Sequence, residues 1–245
     1  MQDFTVYPAI DLRAGKVVRL LRGDPAFQTT YGNDPAEIAR RWFTSGASWI
    51  HVINLDGAFG EKGTKNSAAL KEIVKAAKSS SPIPQVQFGG GLRSLEDIDQ
   101  AITAGVSRVI LGTIPIENRD LLEKALHLYG SDCVALAIDA KNNQVAVHGW
   151  TKQTKTDPIS LGKRFYNLGL RTAIFTNIIR DGSGEGVDVT TTKRVAAATG
   201  LSMIASGGVA SLEDILQVRK AGLSGVIIGR ALYEGTIDLE EALTC

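Results

Sequence analysis

The chain has 245 residues, of which 44% are hydrophobic and 22% charged, with a formal net charge of +1. That length suits one (β/α)8 domain better than two unrelated ones, and the near-zero charge excludes a broad basic field for nucleic acid. Cys133 and Cys245 are too few for a disulfide framework, no apolar run is long enough to span a membrane, and Arg13, Lys16 and Arg19 interrupt the apolar run a secretory leader needs, so a reducing cytoplasmic setting is expected.

Taken in order, short apolar runs alternate with longer amphipathic ones. Runs at 6–11, 49–55, 85–88, 108–111, 134–139, 172–175, 202–205 and 225–228 read as strands buried on both faces. Helical patterns fall at 35–45, 67–78, 95–104, 118–129, 158–168, 189–199, 212–221 and 239–243. This alternation predicts a parallel sheet with helices outside. Residues 13–31, rich in glycine and charge, suggest a mobile lid. A hairpin is expected at 144–147, ahead of His148-Gly149-Trp150. No linker rich in Pro, Gly or Ser divides the chain.

One stretch organises the rest. Gly89-Gly90-Gly91-Leu92-Arg93-Ser94-Leu95-Glu96-Asp97-Ile98 returns 117 residues on as Ser206-Gly207-Gly208-Val209-Ala210-Ser211-Leu212-Glu213-Asp214-Ile215. Aligning Gly90 to Gly112 with Gly207 to Gly229 makes fourteen of 23 pairs identical. Each copy reads as a buried strand, a glycine turn, a helix, a second strand and a final glycine. The glycines permit a tight turn with no Cβ between backbone and ligand. Ser94 and Ser211 suit helix N-caps, and Asp97 and Asp214 suit the first turn. Backbone N–H groups at a helix start suit a phosphate. Two such turns, each followed by a strand ending in Gly112-Thr113 or Gly229-Arg230, predict two phosphate cradles.

The repeat reaches further. Ala9-Ile10-Asp11 matches Ala137-Ile138-Asp139, and Asp56-Gly57 matches Asp181-Gly182. The expected architecture is a single closed (β/α)8 TIM barrel of two half-barrels, about 1–120 and 121–245, rather than an open doubly wound sheet.

Asp11 and Asp139 each end an apolar strand, where barrels carry their catalytic groups. On opposed strands, one carboxyl can take a proton while the other gives one. Asp181 follows the sixth strand as a loop anchor or substrate contact. Thr176 is either a supporting hydroxyl or a bland β-branched strand end. Trp150 either stacks on a flat heterocycle or seals a small apolar cluster. His51, His127 and His148 lack metal-ligand spacing, so no metal is expected.

Here the residues meet a known family. Tyr7-Pro8-Ala9-Ile10-Asp11-Leu12-Arg13-Ala14-Gly15-Lys16-Val17-Val18-Arg19-Leu20, with Gly23-Asp24, closely resembles the opening of the phosphoribosylformimino-aminoimidazole-carboxamide ribotide isomerases of histidine biosynthesis. The likeness continues through Leu55-Asp56-Gly57-Ala58-Phe59, Gly89-Gly90-Gly91-Leu92-Arg93, Gly149-Trp150, Arg180-Asp181-Gly182, Ser206-Gly207-Gly208-Val209 and Gly229-Arg230-Ala231-Leu232-Tyr233. The resemblance implies an aldose–ketose (Amadori) rearrangement of a ribotide with a phosphate at each end, without a cofactor. It makes Asp11 the general base and Asp139 the general acid, supported by Thr176. It adds Arg19, Gly90, Gly91, Arg93, Gly112, Thr113, Trp150, Asp181, Gly207, Gly208, Gly229 and Arg230 as substrate- and phosphate-binding residues. The expected partner is that small molecule alone, with no nucleic acid or membrane, acting on a monomer. Asn54 departs from the Asp of many relatives. The alternatives are a dual-substrate relative that also isomerises phosphoribosyl anthranilate, the related cyclase, and a barrel that only binds phosphosugars. His148, where the dual-substrate branch resembles Arg, favours a single substrate.

Overall fold

The computed structural model of the chain describes residues 4–61 and 63–245. Among them the strands are β1 (Thr5–Arg13), β2 (Lys16–Leu21), β3 (Asp24–Gly32), β4 (Trp49–Asn54), β5 (Gln85–Gly89), β6 (Arg108–Leu111), β7 (Val134–Lys141), β8 (Gln144–Val147), β9 (Lys152–Gln153), β10 (Thr172–Asn177), β11 (Ser202–Ser206) and β12 (Gly225–Ile228). Strands β1, β4, β5, β6, β7, β10, β11 and β12 pair in parallel in that order, and β12 returns to β1. Because the ring closes, no barrel strand is left as a bare edge. Helices lie between the strands, so this is a (β/α)8 barrel.

Alternation along each strand explains why the runs are apolar throughout. On β1, Val6, Ile10 and Leu12 join the cluster shared with the helices, whereas Tyr7 and Ala9 point into the barrel. The interior plug comprises Tyr7, Ala9, Ile110, Ala135, Ile174, Ile204 and Ile227, with Trp49, Ile53 and Ala137 packed against it. The inward series on β1, β7 and β10 then continues upward to Asp11, Asp139 and Thr176. An apolar plug below and polar groups above set the site at the C-terminal mouth.

The sequence expectations hold for every barrel strand within two residues at either end. The helices at Leu95–Ala104 and Leu212–Lys220 begin with matching capping boxes. In each, Ser94 or Ser211 accepts from the N–H of Asp97 or Asp214, whose carboxylate reaches back to the cap. Three short helices at Leu55–Phe59, Ile114–Glu117 and Arg230–Tyr233 have no counterpart among the sequence expectations. Each is too short to show a 3.6-residue period.

The expected lid has definite structure. Residues 16–32 form an antiparallel ribbon, β2 with β3, that continues from β1. Its tip crosses the mouth: the Arg22 N–H donates to Asp181 O at 3.1 Å and its Nε to Ile179 O at 3.0 Å. The expected hairpin at 144–147 is β8, paired with β7 and β9. No helix among the described residues is long and apolar enough to cross a membrane.

Candidate active site

The mouth holds a cleft of about 390 Å³. Every residue expected to bind or catalyse lines it: Asp11, Asp139, Thr176, Arg19, Trp150, Asp181, Arg93, Arg230, Thr113 and the six glycines at 90, 91, 112, 207, 208 and 229.

Three carboxyls converge here, each pushed above its ordinary range by burial. For Asp11, burial is opposed by Arg19, whose Nη1 donates to Asp11 Oδ2 at 2.7 Å. For Asp139, burial is opposed by the Trp150 indole, donating to Oδ2 at 2.8 Å, and by the Thr176 hydroxyl. Asp139 and Thr176 are register partners across β7 and β10, which fixes that contact. Asp181 rises to about 7, through burial first and then the charges of Asp11 and Asp139, with Arg19 pulling the other way. It sits close enough to feel both, so it is more central than a loop anchor.

Arg19 is the hub on the other side. Besides Asp11, its Nη2 donates to Ala9 O, a carbonyl that also accepts from the Tyr233 hydroxyl at 2.9 Å. Its guanidinium stacks 5.4 Å from the Tyr233 ring and lies against Gly229, where a Cβ would stand 2.6 Å from Arg19 Cζ. The sequence marked Gly229 as a phosphate turn; the structure adds that it makes room for Arg19.

The glycine turns line the cleft, and their lack of a Cβ has a structural task besides. A Cβ on Gly91 would fall 2.6 Å from Gly57 Cα, and one on Gly208 would fall 2.5 Å from Gly186 O. These glycines admit neighbouring loop backbone, at φ of +83° and +92°, rather than a ligand alone. The helix starts after them are also occupied. Asp97 takes the N–H groups of Arg93 and Ser94, and Asp214 those of Ala210 and Ser211. By contrast, the short helices starting after Thr113 and Gly229 carry no side-chain cap. Arg93 spends its Nη2 on Gly57 O at 3.1 Å, and Arg230 its Nη1 on Gly182 O at 2.8 Å. Both therefore brace loops from the rim of the cleft.

The equivalence of Asp56 and Asp181 stops at sequence. The Asp56 carboxylate accepts from the Ala14 N–H at 3.0 Å and anchors the start of the ribbon. Asn54 caps the Leu55–Phe59 helix through the Gly57 N–H and accepts from Asn66 Nδ2 at 2.7 Å. The amide at this departure from the family pattern thus has a structural task.

The fifth loop turns through three successive positive φ values, at His148, Gly149 and Trp150. His148 Nε2 lies 2.7 Å from Glu117 Oε1, and its N–H donates to Thr113 Oγ1 at 3.0 Å. The Trp150 ring packs against Gly23 of the ribbon, where any Cβ would overlap it. Reading the sequence alone missed a polar row beneath the carboxyls: buried His51 and Gln87, with the partly buried Arg108 beside them. Its signal was a polar residue at an inward position of three adjacent strands. Among the described residues no group of His, Cys, Asp and Glu has the arrangement of a metal site.

Known proteins resemble this chain over its length. A relative from Symbiobacterium thermophilum, named 1-(5-phosphoribosyl)-5-((5-phosphoribosylamino)methylideneamino) imidazole-4-carboxamide isomerase, is 45% identical over 98% of this chain and 95% of its own. Relatives of the same name from Ruminiclostridium cellulolyticum and Caulobacter sp. are 42% and 46% identical, covering 97% and 98% of this chain and 98% of each relative. The family model described as histidine biosynthesis protein matches residues 5–238, and on that match, with these relatives and the barrel beneath them, the chain belongs to the histidine biosynthesis protein family.

Proposed function

We propose that this protein is an aldose–ketose isomerase that converts a bisphosphorylated aminoaldose ribotide into its aminoketose, the Amadori rearrangement. The observation that carries the reading is the pair Asp11 and Asp139, at matching ends of β1 and β7, both raised by burial and both facing one cleft. The relatives' name adds two phosphoribosyl groups, which suits the two uncapped short-helix starts after Thr113 and Gly229.

The roles follow from proton balance. Asp139, the general acid by the family likeness, gives a proton to the ribose ring oxygen. The ring opens as the nitrogen lone pair forms a C=N bond, leaving a protonated Schiff base. Asp11 then takes the proton from the second sugar carbon, and the electron pair moves to make the enolamine. Loss of the hydroxyl proton on that carbon and gain of one at the first carbon give the ketose. Substrate nitrogen supplies the electrons, so the residues need only move protons. Thr176 and Trp150 hold the Asp139 carboxyl, and Arg19 holds that of Asp11. Asp181, raised to about 7 by burial and by the charges of Asp11 and Asp139, shares their cleft.

The test is an assay of purified protein with the imidazole-carboxamide aminoaldose, without glutaminase or ammonia, beside phosphoribosyl anthranilate. Isomerisation of the first alone is expected. No turnover of it would remove this reading, and turnover of both would widen it. Crystals soaked with phosphate should show an anion at the helix start after Thr113 and at that after Gly229.

A further inference from the structure

Three polar residues lie side by side inside the barrel. His51 pairs in register with Gln87 across β4 and β5, and Gln87 with Arg108 across β5 and β6. All three occupy inward positions, where the neighbouring plug is apolar. His51 is 8% exposed and Gln87 wholly buried. Buried polar side chains in such a place must be fully paired or they destabilise the fold.

Their bonding has one solution. Arg108 is fixed at its far end, stacked 4.4 Å from the Trp49 ring and donating Nε to Asp132 O at 3.2 Å. A guanidinium has only donors, so the Gln87 atom 3.3 Å from Arg108 Nη1 must be the carbonyl oxygen Oε1. That turns the Gln87 amide nitrogen toward His51 Nδ1, at 3.0 Å. An amide NH2 can only donate, so Nδ1 must accept. The ring proton then resides on Nε2. No described residue meets Nε2 at hydrogen-bond distance. His51 lines the cleft, next to Ala9 and one inward position below Asp11.

The geometry points to Gln87 and Arg108 as positioning residues that hold His51 as a neutral Nε2–H tautomer, presenting a fixed hydrogen-bond donor to an oxygen of the substrate sugar beneath the two aspartates. The inference rests on the isomerase reading and adds a group to it. As the second sugar carbon passes from hydroxyl to carbonyl, its oxygen loses a proton and gains negative character. A preorganised neutral donor favours that change and cannot itself remove a proton. Burial and the nearby Arg19 charge lower the ring's pKa to about 3, which is consistent with a ring that stays neutral.

The test combines a spectrum with kinetics. The chain has three histidines, so two-bond nitrogen–proton spectra of protein labelled at histidine can be assigned with His51→Gln as the blank. His51 should show the neutral Nε2–H pattern from pH 6 to 8; an Nδ1–H or imidazolium pattern overturns the proposal. Gln87→Glu replaces the donor to Nδ1 with an acceptor of nearly the same shape. It should move the proton to Nδ1 and lower kcat roughly a hundredfold, comparable to losing one donor at a developing oxyanion, with KM changed far less. A switched tautomer with unchanged kcat overturns the proposal. Should Gln87→Glu not fold, His51→Gln, whose amide can donate near the Nε2 position, should retain at least roughly tenfold more turnover than His51→Leu, one hydrogen bond's worth. Equal turnover in the two overturns it. Wild-type protein inactive on the aminoaldose would instead remove the isomerase reading on which this contact depends.

Discussion

The Trp150 indole N–H donates to Asp139 Oδ2 at 2.8 Å, tying the fifth loop to the carboxyl assigned as general acid. The bond favours the ionised carboxylate and so holds the Asp139 pKa below where burial alone would set it. Trp150→Phe keeps the ring and loses the donor. An acid must be protonated to act, so rate falls as pH rises through its pKa. The alkaline limb of the kcat profile should therefore move to higher pH in Trp150→Phe. An unmoved limb would detach Trp150 from the titration of Asp139.

Asp11 and Asp139 are assigned to different protons. Asp11→Asn and Asp139→Asn should each lower kcat by roughly two powers of ten or more, the range of general acid–base catalysis, with smaller changes in KM. Asp11→Asn also leaves the Arg19 guanidinium without its anion, so its melting temperature should fall more than that of Asp139→Asn. Turnover near wild type in either variant removes that residue from its role.

Asp181 links function to stability. Its pKa rises from 3.8 to about 7, so between those values the folded chain holds a proton that the unfolded chain releases. The contribution is most favourable below the unfolded value and is lost as pH rises through the window. Asp181→Asn should therefore be more resistant to urea than wild type at pH 8, with the gap narrowing toward pH 4.5. A gap that stays constant with pH would show that Asp181 does not titrate in this window.

The glycine turns can be tested by comparison. Gly222 has a φ of +77° and nothing within 4 Å of where a Cβ would stand, so Gly222→Ala should cost about 1–2 kcal/mol, the left-handed backbone penalty alone. Gly91→Ala and Gly208→Ala meet that penalty and also strike the backbone of Gly57 and Gly186. Both should lower the urea midpoint further than Gly222→Ala, before any effect on phosphate is considered. Equal loss in all three would mean the second and sixth loops give way freely.

Much of this protein is written in local order. Burial on both faces makes each barrel strand a continuous apolar run, and a polar outer face gives each long helix its period. Ser94 with Asp97 and Ser211 with Asp214 specify their capping boxes within four residues. The order of those segments, and the repeat of the glycine turns, therefore sufficed for the barrel, for Asp11 and Asp139 at its rim, and for the family likeness. Tertiary structure alone decided what those residues touch. Asp56 and Asp181 occupy equivalent places in the repeat, yet the Asp56 carboxylate takes the Ala14 N–H at the start of the ribbon, whereas the ribbon tip meets only the Asp181 backbone carbonyl and leaves its carboxyl in the cleft. Gly229 makes room for Arg19, a residue 210 positions away in the chain, only because ring closure sets β12 beside β1. The row of His51, Gln87 and Arg108 exists only through the registers of β4, β5 and β6. Local pattern encodes whether a side chain is buried; which partner it meets depends on strand register and barrel closure, and these are set by the whole chain at once.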